Sequence, residues 1–444
     1  MGWQRRGESQ WDCVDMAGFD NIEESRHRRC QMLIRLITRI YVCSLVLFLL
    51  GLGQAFLGAF SVPPDFQKAE VEIISNPKTP VPPVGKRKSL VFNEELSIGQ
   101  KEGDENYMFG SGVVFNTDEE GNFYVTDWDK KRILKYDPAG KYVLTIGRQG
   151  QGPGEFQNLS VARFDKEGSI YVTDISSRRI SFFHQRGNYL RQILIPDVFE
   201  DLYITAKGYF VSSHTVPLES ESGMAFKIVD GFFNDKFELV TEFHARVADT
   251  KFPSGRDSTS MAKFTAGILS GIAYQPAPRH LLAADDTIYF GYPQDYSIEV
   301  YSPEGRKTKT IRRAYDPIIV KDSDKAYFAA SVAGPFLTRT RTPRSENETR
   351  DILKFIEYPK YKPAYLNFAL MENGWLIVLV EYAAGDHSLF DIFDENGRYI
   401  GQFKAEFPAE YGLFFFKNGK AYAVEADEEG YKSIKRYSVK VEDY

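Results

Sequence analysis

Three landmarks in this chain recur at one fixed offset. The stretch FNTDEEGNFYVTDWDKKRILKYDPAGKYVLTIG begins at Phe115, and FDKEGSIYVTDISSRRISFFHQRGNYLRQILI begins at Phe164. Gly121 and Gly168, Asp127 and Asp174, and Gly140 and Gly187 are each 47 residues apart. A period of about 40 to 50 residues marks an array of identical supersecondary units that bury their faces against one another. Each unit reads as four short strands separated by glycine turns. In the second, these are Ser160–Phe164, Ile170–Thr173, Arg179–Phe183 and Tyr189–Ile195. Four antiparallel strands per repeat make one blade of a β-propeller.

Looser copies follow at Leu202–Glu242, His280–Arg313 and Tyr365–Phe407, and a three-stranded copy runs from Tyr411 to the end. The missing strand is supplied from the N-terminal side. LSIGQKEGDENYMF at Leu96 parallels LTIGRQGQGPGEF at Leu144, the fourth strand and exit loop of its unit. Val91–Ile98 is therefore expected to pair with the C-terminal strand and close the ring, which removes two open sheet edges. Two irregular stretches, 245–283 and 316–362, lack the turn-and-strand pattern. The second holds a candidate helix, Lys321–Val332, and reads as a decoration between blades four and five. Without them, residues 84–444 leave about 46 residues for each of six blades. The 34 Phe and 26 Tyr residues suit the pleated, half-buried surfaces of such a fold. The expected class is all-β: a six-bladed β-propeller over 84–444 behind an N-terminal hydrophobic helix.

That helix is expected at Ile40–Phe60, 21 residues without a charge, with Arg35 and Arg39 just before it. Its length suits a bilayer crossing, and the basic residues on its N-terminal side place the C-terminal part outside the cytoplasm. Residues 1–39 are then a leader or cytoplasmic tail, with Met32 an alternative start, and 40–60 either a transmembrane or a cleaved signal segment. Residues 61–83, rich in proline, are expected to be an extended linker. All three cysteines, Cys13, Cys30 and Cys43, precede the ring. A disulfide, a thiolate metal site and a cysteine nucleophile are thereby excluded from it. The net charge of -6 is of the wrong sign for a broad phosphate-binding surface, so nucleic acid is not an expected partner.

The segment GQGPGEFQNLSVARFDKEGSIYVTDISSRRISFF, with its loop glycines, its Asp-x-x-Gly-x-Ile-Tyr-Val-x-Asp core and the following Arg-Ile, resembles an NHL-type repeat. The whole chain, including the insertion ending in YPKYKPAY, resembles six-bladed propeller proteins of bacterial envelopes. The resemblance is sharp over Phe109–Pro196. It implies the fold and a place in the cell envelope, membrane-anchored or periplasmic, but no particular activity, since propellers host many.

The recurring polar residues are the candidate site: Asp127 with Lys130, Lys131 and Arg132, and Asp174 with Arg178 and Arg179. They read either as a ligand-facing charged cluster near one rim or as the residues that fix each strand-to-strand corner. His184, His214, His244, His280 and His387 occupy no matching places in the repeat, so convergence on a metal is not expected. The glycine-rich loop Gly147–Phe156 lacks the lysine and helix of a phosphate cradle and reads as a blade-to-blade crossover, with Phe156 packing between blades. No nucleophile elbow or zinc-binding helix motif occurs, and no cofactor is expected. The function expected is a binding or scaffold module for a protein, peptide or carbohydrate, with the membrane contacted through the N-terminal segment. The alternatives are a metal-dependent lyase or hydrolase, or a structural subunit of an envelope assembly using 316–362 as its contact arm.

Overall fold

The computed structural model describes residues 70–443 apart from 83–85, 111, 220–222, 252, 254, 256, 335–336, 338–344, 382–387, 408–412 and 428–430. The expected leader, the apolar segment 40–60 and the start of the linker lie outside the described residues. Among those described, no helix is long and apolar enough to cross a membrane.

Two strands, β1 (Glu72–Asn76) and β2 (Lys88–Ile98), precede the repeats. Blade 1 follows as β3 (Val113–Thr117), β4 (Phe123–Asp127), β5 (Arg132–Tyr136) and β6 (Tyr142–Ile146). Blade 2 contains β7 (Arg163–Phe164), β8 (Ile170–Asp174), β9 (Arg179–Phe183) and β10 (Tyr189–Leu194). Blade 3 has β11 (Val198–Ile204), β12 (Phe210–Leu218), β13 (Gly223–Phe233) and β14 (Leu239–Lys251). Blade 4 is β15 (Arg279–Leu282), β16 (Ile288–Gly291), β17 (Ser297–Tyr301) and β18 (Lys307–Arg313). Blade 5 is β19 (Asn367–Leu370), β20 (Leu376–Glu381), β21 (Ser388–Phe393) and β22 (Tyr399–Ala405). Blade 6 takes β23 (Phe414–Lys417), β24 (Lys420–Ala426) and β25 (Lys432–Asp443) from the C-terminus and β2 from the other end of the ring. The fold is a six-bladed β-propeller.

Burial follows from this arrangement. The central strands β4 and β8, FYVTD and IYVTD, are buried at every position because neighbouring sheets cover both faces. The outer strands β6 and β10 keep exposed positions. Apolar clusters lie between successive blades. Ile133 and Tyr124 of blade 1 meet Val172 and Phe183 of blade 2, and Phe182 of blade 2 meets Phe199 and Phe233 of blade 3. Tyr296 and Ile298 of blade 4 meet Phe393 and Tyr399 of blade 5, and Phe115 and Phe123 of blade 1 meet Tyr422 and Ile434 of blade 6. Aromatic side chains fill these wedges because each buries a large area, at about 1.5–3 kcal/mol per fully buried Phe.

The ring closes in antiparallel register from Lys88 opposite Asp443 to Ile98 opposite Ile434. The linker expected over 61–83 requires correction in its described part. β1 adds a fifth strand to blade 4, parallel to β18, with Glu72 opposite Lys309 and Asn76 opposite Arg313. The chain then crosses to blade 5. The Asn76 amide donates to the carbonyls of Arg312 and Gly397 at 3.0 Å each and accepts from Tyr399 N–H at 2.8 Å. Val81 N–H donates to the Tyr399 carbonyl at 2.9 Å. β1, the contact of Val81 with Tyr399 and β2 thus tie this end of the chain to blades 4, 5 and 6. The physical reason is the open outer edge of β18, whose unpaired backbone groups a neighbouring extended segment satisfies.

The stretch 245–283, expected to be irregular, begins as strand: β14 runs to Lys251 against β13, and β15 opens at Arg279. A helix, Ser258–Ser270, lies between, capped by Asp257, whose carboxylate accepts from Ser260 N–H. The stretch 316–362 holds the expected helix as Asp322–Phe328, continued by a π turn over Ala329–Ala333, and a second helix, Glu346–Lys354, opened by a Ser345–Glu348 capping box. Its base is pinched by the bridge between Ile319 and Tyr361. Ala266 and Leu269 of the first helix pack with Phe328 and Ile352 of the others, so both excursions share one small helical cap.

Candidate functional site

In a four-stranded antiparallel blade, the turns between first and second and between third and fourth strands lie on one rim. The turns between second and third strands lie on the other, together with the crossovers to the next blade. The seven sequence-predicted residues, the crossovers and the helical cap therefore all belong to the crossover rim.

There the predicted residues grip the crossovers. Asp127 is fully buried; its carboxylate accepts from Lys130 N–H at 3.3 Å and stands 3.4 Å from Arg132 Nε. The Lys130 ammonium donates to the Met108 carbonyl at 3.0 Å, and the Arg132 guanidinium donates to that of Glu105 at 2.8 Å. Asp174, also fully buried, accepts from Gln157 N–H at 2.8 Å and Asn158 N–H at 3.0 Å. Arg179 donates to the carbonyls of Gln151, Gly152 and Glu155 at 2.8–3.0 Å. Lys131 and Arg178 sit at matching turn positions with φ of 53° and 45°. Asp binds amides or its own turn, and the basic residue binds carbonyls of the incoming loop. The loop glycines have the matching role: Gly147 has φ +70°, and a Cβ there would stand 2.2 Å from the Phe156 ring.

A second polar cluster joins the first strands of blades 2, 3 and 4, which face one another round the axis. Arg163 of β7 pairs with Asp201 of β11 at 2.6 Å and lies over the Tyr203 ring at 3.9 Å. His280 of β15 is buried between two carboxylates, with Nδ1 3.5 Å from Asp201 and Nε2 3.7 Å from Asp230. Asp230, fully buried, also accepts from Arg246 at 2.9 Å and from the Ser213 hydroxyl, with His244 Nδ1 3.4 Å away. Desolvation by its neighbours works against charge on Asp201, whose side chain is still 46% exposed, but Arg163 and then His280 outweigh it and hold the carboxyl well below the usual range. Sequence comparison misses this cluster because its members fall at different places in their repeats. His184 accepts a turn N–H from Arg186, His214 pairs with Asp197 at 3.2 Å, and His387 lies outside the described residues. Among the described residues, no group of three or more His, Cys, Asp or Glu is placed to hold a metal ion. Arg163 faces Asp201 and Arg246 faces Asp230, so each of these carboxylates has a cationic partner.

An open concavity lies where the cap meets blades 4 and 5. A hollow of about 360 Å³ is walled by Tyr274, Pro293, Tyr315, Pro317 and the Pro359–Pro363 stretch. It shares Tyr315 and Pro363 with a second hollow of about 220 Å³, bounded by Arg313, Gln402 and Lys78, so the two form one trough. Its walls are rigidly held. Lys362, nearly buried, pairs with Asp324 of the cap at 2.8 Å and Glu381 of β20 at 2.9 Å. Val320 N–H donates to the Lys360 carbonyl at 3.1 Å, Lys362 N–H to that of Ile318 at 2.8 Å, and the Tyr274 hydroxyl to that of Asp324 at 2.8 Å. At the inner end, Asp391 is fully buried with Arg313 3.2 Å away and accepts from Tyr399 and Gln402 at 2.8 Å. Burial outweighs these partners and raises its carboxyl above the usual range. Tyr361 remains 42% exposed at the mouth, and its bridge partner Ile319 is 56% exposed, which leaves apolar surface facing solvent.

Residues 117–316 match a protein family described as 6-bladed beta-propeller (DUF5128). The chain matches no curated protein. Similar solved structures include a protein of Bacteroides fragilis described as exported, at 12% identity and a TM-score of 0.48, covering 84% of this chain and 100% of that one. A DUF4221 family member from Bacteroides vulgatus is 11% identical with a TM-score of 0.41, covering 81% and 99%. Virginiamycin B lyase from Staphylococcus aureus is 10% identical with a TM-score of 0.40, covering 79% and 99%.

Proposed function

We propose that this chain is an extracytoplasmic binding module, an NHL-like propeller of the cell envelope that holds its ligand in the trough between the helical cap and blades 4 and 5. The observation that carries it is the trough itself: a concave, aromatic-walled site on the crossover rim, braced by half-buried ion pairs, with Tyr361 exposed at its mouth. Pockets of this kind, mostly apolar with a few fixed polar groups, are where ligands bind. The recurring Asp and basic residues support the same view by being engaged with the crossover loops. Placement outside the cytoplasm rests on the uncharged stretch Ile40–Phe60 behind Arg35 and Arg39.

The test uses the chain from Glu70 onward, which contains every strand of the ring and of its closure. Displayed on arrays of peptides and oligosaccharides, it should be retained by a defined subset of probes, and Tyr361→Ala should lose that retention. Retention that survives Tyr361→Ala unchanged, or none at all, would overturn the assignment.

A further inference from the structure

Resting on the trough as the binding site, we propose that its ligand is an extended, proline-containing peptide with an acidic side chain beside its prolines. The larger hollow is walled by five prolines and three tyrosines, with Gln294, Lys360 and Lys362 as its other side chains. A sugar site needs, besides rings to stack on, several side-chain acceptors and donors aimed at hydroxyls. This hollow has no carboxylate among its lining residues, and Lys362 is committed to Asp324 and Glu381. Tyrosine faces separated by rigid proline ridges instead suit a polyproline II helix, whose side chains repeat every three residues along a rise of about 3.1 Å each. Such a ligand enters already ordered, so binding costs it little conformational entropy.

The walls are equally preformed. The hydroxyl bond of Tyr274 to Asp324 fixes one of the three rings before any ligand arrives, and the backbone bridge between Ile319 and Tyr361 holds the segment that carries another. Charge sets the flank. Lys360 is exposed at the mouth, its ammonium 4.9 Å over the Tyr361 ring, and no acidic side chain of the hollow opposes it. A carboxylate next to the ligand's prolines would meet this lysine, whereas a basic flank would be repelled.

Fluorescence polarisation with a labelled (Asp-Pro-Pro)₃ peptide, the same peptide with Lys for Asp, and one with Ala for Pro tests this on the chain from Glu70 onward; neutral hexasaccharides serve as competitors. The acidic proline peptide should bind saturably, at least about tenfold more tightly than either control, and Lys360→Glu and Tyr361→Ala should each weaken it by about tenfold or more. Both side chains are at the surface, so a thermal melt matching the unsubstituted chain verifies that the fold is intact. Absence of peptide binding at millimolar concentration would overturn the inference. If the hexasaccharides bind instead and lose affinity in Tyr361→Ala, the peptide assignment falls and the trough stands. Peptide binding indifferent to both substitutions would remove the trough as well.

Discussion

Arg179→Ala should destabilise the ring by about 3 kcal/mol. The guanidinium, only 6% exposed, donates three hydrogen bonds of 2.8–3.0 Å to the carbonyls of Gln151, Gly152 and Glu155. Bonds from a charged donor contribute about 1.5–3 kcal/mol each. Gln151 lies at the surface, where water replaces its bond, so two of the three are lost without compensation. Asp174 holds the next residues of the same crossover through Gln157 N–H and Asn158 N–H. The two side chains therefore act on one loop, and the Asp174→Ala, Arg179→Ala double variant should lose at least about 0.5 kcal/mol less than the sum of the single losses. Arg179→Lys, which replaces a fork by a point donor, should recover about a third of the stability. Equilibrium urea unfolding of the chain from Glu70 onward measures all four variants. A loss below about 1 kcal/mol for Arg179→Ala, or strict additivity in the double variant, would refute the view that these recurring residues hold the crossovers.

Gly147→Ala combines a left-handed backbone with a Cβ 2.2 Å from the Phe156 ring, and a thermal melt should report a loss of about 3 kcal/mol. Asn76→Ala removes three bonds that carry the chain from blade 4 to blade 5; it should cost about 2 kcal/mol and accelerate hydrogen exchange across Glu72–Asn76. Asp201 and Asp391 respond to pH with opposite sign. Asp201, lowered in the fold, contributes stability that is present above about pH 4 and lost as pH falls towards its folded value, so Asp201→Asn should flatten the acid side of a stability profile. Asp391 is raised, so its unfolded form releases its proton first and stability declines as pH rises above about 4 towards the folded value; Asp391→Asn should abolish that decline while leaving Arg313 without its buried counter-charge.

Much of the ring is legible because its signals are local. The turn Asp165–Gly168, the crossover Gly147–Phe156 and the pairing of Leu96–Ile98 with the last strand each carry glycines and aromatic residues at repeated spacing, and the structure places all of them as the spacing predicts. What escapes is what has no local mark. β1 pairs in parallel with a strand more than 200 residues away, with no turn between them to announce it, and its flanking prolines read as linker. The long β13–β14 hairpin is hidden because its outer strand keeps one face in water, so HARVADTK lacks an apolar run. The shared carboxylate of His244 and His280 belongs to no repeated position, and the larger hollow draws on four separated segments, Tyr274–Pro276, Pro293–Gln294, Tyr315–Pro317 and Pro359–Pro363. The recurring Asp and basic residues are the converse case. Sequence finds them at once because the crossovers into blades 1 and 2 are held in the same way, and that is a requirement of the fold.

Hydrogen-exchange footprinting of the chain from Glu70 onward, with and without a probe selected on the arrays, tests the central claim most directly. Bound ligand should slow exchange at residues 315–320 and 358–363 and leave 127–132 and 174–179 unchanged. Protection confined to the two corners, with the trough exchanging as in the free protein, would contradict it.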